Sequence, residues 1–189
     1  MKYYISLTFL FFCTFLFSQK TKGTVTLIDG TILSGYVSVS NKVKFKSNLN
    51  AKAITYDYQN CKEASVIDKK GKEKKYEYIK LKENKKPILL EIITDGFLRL
   101  YYQDNTSYTG NFGGSGMGGF NSKSTYYVKK QTEDVAEKCA AFGYIGNSFK
   151  KFINDYFKDC QKLISKVENK EFKKKNLEEI VEFYNSNCH

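Results

Sequence analysis

The chain has 189 residues, with 31 lysine and arginine side chains against 20 aspartate and glutamate side chains, and its formal net charge is +11 at pH 7. This length suits one domain, or one domain with a small appendage, that buries its own core. Arg99 is the only arginine, and phosphate and base-edge recognition favours the planar arginine fork over lysine. The composition therefore argues against sequence-specific binding of nucleic acid.

Residues 1–18 have the three parts of a secretory signal peptide. Met1 and Lys2 form a basic start, an apolar run extends from Ile5 to Phe17, and Ser18 is a small residue at the cleavage point. The run is short for a transmembrane helix, which needs about 20 apolar residues. We predict an exported protein, periplasmic or secreted, that begins at Gln19 and has no transmembrane helix after cleavage.

The cysteines agree with an oxidising compartment. Cys13 could be the lipidated residue of a lipoprotein signal, but bulky residues precede it at 10–12, so we expect it to leave with the signal. The mature chain then keeps an even number of cysteines, which permits two disulfides with three connectivities. No pair has a CxxC spacing and the only histidine is His189, so no metal site is expected. The four cysteines are Cys61, Cys139, Cys160 and Cys188.

Alternating β patterns fill much of residues 19–131. Two runs flank Asp29-Gly30 and two more flank Asp95-Gly96, and an Asp-Gly pair between β-formers is a strong hairpin signal because Gly supplies positive φ. We expect the second hairpin, from Ile88 to Tyr102, to be the centre of a sheet, with Arg99 on its wet face as an exposed or salt-bridged residue. Further runs lie at 43–46, 53–58, 63–68, 74–81 and 126–130.

Lysines cluster at residues 69–75 and 80–86. We interpret both clusters as solvated turns and guarded sheet edges, since lysine discourages pairing between exposed strands. The alternative is a binding site for anionic glycans or lipid headgroups.

A glycine-rich stretch at residues 110–121 interrupts the strand pattern. Gly114, Gly116 and Gly119 match the spacing GxGxxG, but another strand follows instead of the helix that a dinucleotide site requires, so no cofactor is expected. We predict a mobile loop between two paired strands. If this loop binds a partner, the residues that would make contact are Phe112, Met117 and Phe120.

From residue 132 the apolar period changes from two to 3.6. Thr132–Phe142 is predicted to form a short helix, and a longer helix begins at Asn147 or Ser148 and runs to Val167. Asn176 then precedes a final helix. The last two helices should form an antiparallel hairpin, because the segment that joins them is short.

This hairpin geometry favours one disulfide. Cys160 and Cys188 fall at comparable heights on the two predicted helices. We therefore predict that they are paired, and closing this loop would stabilise the fold by about 3 kcal/mol. Cys61 and Cys139 are assigned to each other only by elimination.

Three segments together resemble small exported proteins of Bacteroidota, which are mostly uncharacterised. The first is the signal ending at Gln19, and the second is Asp95–Tyr102 followed by a loop and Tyr126–Lys129. The third is the tail that contains Cys160, Asn185 and Cys188. The resemblance implies a location in the cell envelope or outside the cell, and it carries no activity and no site residues.

The predicted fold is α+β: an antiparallel sheet or partly closed barrel of about eight to nine strands in residues 19–131, with a helical region at 132–189 packed on it in the same domain. We expect a non-enzymatic structural or binding module of the envelope, with another envelope protein as a possible partner, since His189 is a poor candidate for a catalytic triad. The alternative is a hydrolase that uses paired carboxylates. The candidate carboxylates are Asp57, Glu77, Glu91, Asp95 and Asp104.

Overall fold

The computed structural model describes residues 21–104, 107–109, 119–121, 124–141 and 147–188. Twelve strands and three α-helices lie in these ranges, with a short 3-10 helix at Lys174–Asn176. The strands are β1 Thr21–Leu27, β2 Ile32–Val39, β3 Val43–Lys46, β4 Ile54–Tyr56, β5 Cys61–Ile67, β6 Glu73–Ile79, β7 Ile88–Thr94, β8 Leu98–Asp104, β9 Ser107–Thr109, β10 Gly119–Asn121, β11 Ser124–Lys130 and β12 Glu137–Ala141. The helices are α1 Asn147–Tyr156, α2 Gln161–Glu168 and α3 Leu177–Asn187.

Ten strands form one open sheet in the order β12-β11-β8-β7-β6-β5-β1-β2-β3-β4, and β9 pairs with β10 separately. All neighbouring strands are antiparallel, and both Asp-Gly pairs lie in hairpin turns, between β1 and β2 and between β7 and β8. The second hairpin lies inside the sheet rather than at an edge. The predicted α+β class is confirmed, with ten strands in the main sheet rather than eight or nine.

The sheet coils strongly in both halves. The Tyr78 hydroxyl of β6 donates a hydrogen bond of 3.2 Å to the Tyr56 carbonyl of β4, although these strands are five positions apart. In a flat sheet five positions span about 24 Å. At the other end, Leu81 after β6 forms a single parallel bridge with Ala136 just before β12. Each half of the sheet therefore curls back toward β6.

The two curls of the sheet enclose opposite faces. Ala64, Tyr76, Glu91, Tyr102 and Tyr126 are cross-strand partners in one row, so their side chains share a face of the sheet. On this face lie the core inside the N-terminal curl and the core beneath the helices. A third cluster lies on the other face, inside the C-terminal curl. Its residues are Ile79, Leu81, Leu90, Tyr101, Tyr127 and Ala136.

The helices cover the C-terminal half of the shared face. Leu163, Ile180, Val181 and Tyr184 are almost fully buried against strand residues such as Leu100. One continuous helix was predicted from 147 to 167, but the helix breaks after Tyr156. At the break, the Cys160 amide donates a hydrogen bond of 2.8 Å to the Phe157 carbonyl. This break orients Cys160 toward the end of α3, and the predicted disulfide between Cys160 and Cys188 is formed.

Cys61 and Cys139 are not joined to each other, contrary to the assignment by elimination. Both are buried, but Cys61 lies in the core of the N-terminal curl and Cys139 lies in the core beneath the helices. The central strands of the sheet separate these two cores. Burial, followed by the charge of Glu63, raises the pKa of the Cys61 thiol to about 11.

The predicted helix at Thr132–Phe142 was wrong. Residues 137–141 form the edge strand β12, in which Glu137 pairs with Val128 and Ala141 pairs with Thr125. This strand buries Cys139, and the neighbouring Ala136 is 3% exposed at the bridge to Leu81. The backbone bonds and burial offered by the open edge of β11 outweigh a weak helical preference.

Part of the glycine-rich stretch lies outside the described residues, including Phe112 and Met117. The backbone of its last residues forms β10, in which Phe120 pairs with Tyr108 of β9. The stretch therefore includes a short hairpin strand at 119–121, where a loop was predicted. Along the described parts of the chain, no helix has the length and apolar character needed to cross a membrane.

Candidate binding groove

A groove lies on the shared face, between the N-terminal curl and the helices. It consists of two adjoining cavities, of about 680 Å³ and 280 Å³, which have Lys74 and Glu91 in common. The larger cavity is bounded by the β2–β3 turn at Ser40 and Asn41 and by strands β6, β7 and β8. The smaller cavity extends toward the β7–β8 turn and reaches Glu178 of α3.

Strand register brings the central groove residues together. Tyr76 of β6 pairs with Glu91 of β7, and Glu91 pairs with Tyr102 of β8, so a carboxylate lies between two aromatic rings. Lys74 lies two residues before Tyr76 and therefore on the same face. Because the sheet changes its direction of curl here, this part of the face is covered neither by the N-terminal curl nor by the helices.

The central charges of the groove form a close ion pair. The Lys74 Nζ lies 2.8 Å from one oxygen of Glu91 and 3.0 Å from the other. Burial, followed by the negative charge of Glu91 and a hydrogen bond to it, raises the pKa of the Tyr76 hydroxyl to about 12. Tyr76 therefore stays a neutral hydrogen-bond donor at physiological pH. Glu91 accepts hydrogen bonds from Lys74 and from Tyr76.

The second ring of the groove is fixed by its own partners. The Tyr102 hydroxyl lies 3.2 Å from Ser124 Oγ, and its ring centroid is 5.2 Å from that of Tyr126 in a tilted arrangement. Such contacts hold the ring before any ligand binds, so little side-chain entropy is lost on binding.

Charges of both signs surround the smaller cavity. The residues that line it are Lys72, Glu73, Lys74, Lys75, Glu91, Asp95 and Glu178, with Ile92 and Ile93. A ligand in the groove thus meets alternating cations and carboxylates rather than a field of one sign.

The five carboxylates singled out from the sequence do not form one catalytic pair. Glu77 and Asp95 both bind Arg99, at 2.8 Å and 2.6 Å, on the opposite face of the sheet, and Glu77 also accepts a hydrogen bond from Tyr101. Asp57 accepts the Gln59 amide in a turn. Glu91 lines the groove with Asp104 in the larger cavity and with Asp95 in the smaller one.

Arg99 is salt-bridged as predicted, but the expected wet face was wrong: its side chain is about three-quarters buried, on the same face as the buried Tyr101. The charge of Glu77 raises the pKa of the guanidinium, although burial alone would lower it. Its role is structural, because it neutralises Glu77 beside the buried Tyr101.

The first lysine cluster spans the β5–β6 turn and the start of β6, so the turn was predicted correctly, but β6 lies inside the sheet and the lysines do not guard a sheet edge. The Asp68 carboxylate accepts the amides of Lys70 and Lys72, and these hydrogen bonds hold the pKa of Asp68 below its usual 3.8. Within the described part of the chain, no group of three or more His, Cys, Asp or Glu side chains could hold a metal ion.

The groove itself could not have been identified from the sequence. The alternation Lys74, Tyr76, Tyr78 indicated a face shared by a charge and two rings, but Asn41, Glu91 and Gln103 join Lys74 and Tyr76 only through strand order and coiling. A scan against protein-family models, a search of curated proteins and a search of solved structures each found no match.

Proposed function

We propose that the protein is an exported, non-enzymatic binding module whose groove holds an extended segment of another envelope protein. The observation that carries the proposal is the shape of the groove. Two cavities adjoin across β6 and β7 and share Lys74 and Glu91, so a chain can pass along them. Small-molecule sites instead enclose most of their ligand in one largely apolar cavity.

The charges favour a polypeptide over a neutral saccharide. A peptide with lysine and acidic side chains can pair with Glu178 or Asp95 at one point and with Lys72 or Lys75 at another. The chain has no tryptophan to stack on sugar rings. Tyr76 and Tyr102 supply the rigid aromatic contacts that protein-binding surfaces favour.

Export is supported by the signal-like residues 1–18 and by the disulfide between Cys160 and Cys188, since disulfides persist in oxidising compartments. We place the mature protein in the periplasm or outside the cell.

Hydrolysis is the weaker candidate. An acid–base mechanism needs one carboxyl group to donate a proton, whereas the two oxygens of Glu91 lie 2.8 Å and 3.0 Å from the Lys74 ammonium group. Asp104 would be left without a second acid in the groove's larger cavity.

A blocking substitution tests the proposal. Asn41→Arg places a long side chain at the mouth of the groove from an exposed turn, and Thr55→Arg adds the same side chain on the exposed strand β4. Binding to a peptide array should fall about tenfold or more for Asn41→Arg and stay at the wild-type level for Thr55→Arg. Equal binding by all three proteins, or binding confined to an oligosaccharide array, would contradict the proposal.

A further inference from the structure

Another cavity differs in chemistry from the groove and lies at one end of the helical layer. It measures about 180 Å³ and is lined by Phe149, Val167 and Phe172 together with Lys150, Lys170, Lys173 and Lys174. We call it the basic crevice. All of its lining residues are either apolar or lysine, and none is acidic.

The floor of the basic crevice is built by three different segments. Phe149 in the first turn of α1 is 6% exposed, and Val167 near the end of α2 is 4% exposed. Phe172 follows α2 and packs against Phe183 of α3 with ring centroids 5.7 Å apart. Tertiary packing thus holds the apolar floor in place beneath the lysines.

The backbone turns sharply to present this floor. Lys170 has a positive φ of 64°, a left-handed conformation that non-glycine residues seldom adopt. The amides of Glu171 and Phe172 both bond back to the Lys166 carbonyl at the end of α2. The Lys166 Nζ pairs with Glu171 and lies 5.7 Å from the Phe172 ring centroid.

The rim carries an excess of positive charge. Two carboxylates of the helical region are engaged by other lysines, Glu171 by Lys166 and Asp155 by Lys151. No salt bridge to a described residue neutralises Lys150, Lys170 or Lys173. Ammonium groups gathered around one apolar floor attract a ligand that has an anionic head and an apolar body.

We propose that the basic crevice docks the protein on an anionic lipid surface. The cavity is smaller than the range of about 300–1,000 Å³ typical of small-molecule sites, so most of a bound lipid must remain outside the protein, as it does in a bilayer. The lysines bind headgroup phosphates, and the floor contacts the first part of an acyl chain. This surface is separate from the groove and goes beyond the proposed function.

Cosedimentation with vesicles tests the inference on the mature chain that begins at Gln19. The wild type should bind phosphatidylcholine vesicles that contain phosphatidylglycerol and should not bind pure phosphatidylcholine. The double variant Lys150→Glu, Lys173→Glu should lose about thirtyfold or more in affinity. Both lysines are exposed, so the fold should tolerate the changes.

The matched control is Lys69→Glu, Lys70→Glu, which changes the net charge equally at the exposed β5–β6 turn, where no crevice lies. It should change the affinity by less than about threefold. Equal losses in both double variants would overturn the inference, since binding would then depend only on the net charge. Competition by millimolar glycerol phosphate at physiological salt would also overturn it, because the site would then take a soluble anion.

Discussion

Asn185 binds Leu98 in the manner of a neighbouring β-strand. The Leu98 amide donates to Asn185 Oδ1 at 2.8 Å, and Asn185 Nδ2 donates to the Leu98 carbonyl at 2.9 Å. One side chain of α3 therefore satisfies both backbone groups of Leu98, the first residue of β8. This contact fixes the helical layer against the β7–β8 hairpin and so sets one end of the groove.

Asn185→Ala should lower the free energy of unfolding by about 1 to 3 kcal/mol, because it leaves two half-buried backbone groups without partners.

Gly96→Ala should also destabilise the fold, since a Cβ at residue 96 would lie 2.4 Å from Asn185 Nδ2. Gly30→Ala provides a control with a positive φ of 88° but no atom within 4 Å of the added Cβ. Urea denaturation should show a larger loss of unfolding free energy for Gly96→Ala than for Gly30→Ala. Equal losses would contradict the close contact between residue 96 and Asn185.

The Lys130–Asp159 pair predicts a pH dependence. Lys130 Nζ and the Tyr184 hydroxyl each donate to Asp159 at 2.7 Å. Burial alone would raise the pKa of Asp159, but these hydrogen bonds hold it below 3.8. The pair therefore contributes stability above about pH 4 that is lost as the pH falls through the lowered pKa.

Asp159→Asn removes this contribution. As the pH falls below 4, the unfolding free energy of the variant should therefore decrease less than that of the wild type. Chemical denaturation from pH 6 to pH 2 measures the difference. Parallel curves for the two proteins would show that the pair has no effect. Asp155→Asn is a suitable control because its partner, Lys151, is exposed.

The thiol reactivity of the mature chain should follow burial. Cys61 and Cys139 are 2% and 4% exposed, and the pKa of Cys61 is raised to about 11, so neither should react with a thiol reagent at pH 8 in the native state. Two thiols should react after denaturation without reductant, and four after reduction. No thiols in the denatured, unreduced chain would indicate a second disulfide and contradict the structure.

Arg99 and Glu77 should behave as one unit. Arg99→Met leaves the Glu77 carboxylate largely buried without its cation and should destabilise the fold by about 3 kcal/mol. The double variant Arg99→Met, Glu77→Gln should be more stable than the sum of the two single changes predicts. Strict additivity in a double-mutant cycle would show that the two charges do not interact.

Much of the fold could be predicted because local patterns agreed with tertiary structure. Asp29-Gly30 and Asp95-Gly96 specify hairpins by backbone conformation alone, and the 3.6 period identified the buried stripe of α3. The pairing of Cys160 with Cys188 followed from helix lengths, even though α1 and α2 are separate helices. These features depend on residues close in sequence or on rigid elements.

The remainder depends on coiling, which no local pattern encodes. Residues 137–141 form a strand because β11 offers an open edge, and the pairing assigned to Cys61 failed because the sheet separates the two cores. The groove needs Asn41 to approach β7 and β8, which requires the N-terminal strands to curl. Sequence reasoning therefore named the acids Glu91, Asp95 and Asp104 as candidates but did not identify the groove that they line.

Site-specific photo-crosslinking tests the central claim most directly. A benzophenone side chain at Asn41 faces the groove, and the same group at Thr55 on β4 lies away from it. In envelope extract, we predict a discrete protein adduct when the benzophenone is at residue 41 and none when it is at residue 55. Addition of unlabelled wild-type protein as a competitor should suppress the adduct, whereas addition of unlabelled Asn41→Arg should not. Identical adducts from both positions, or a saccharide adduct from residue 41, would contradict the account.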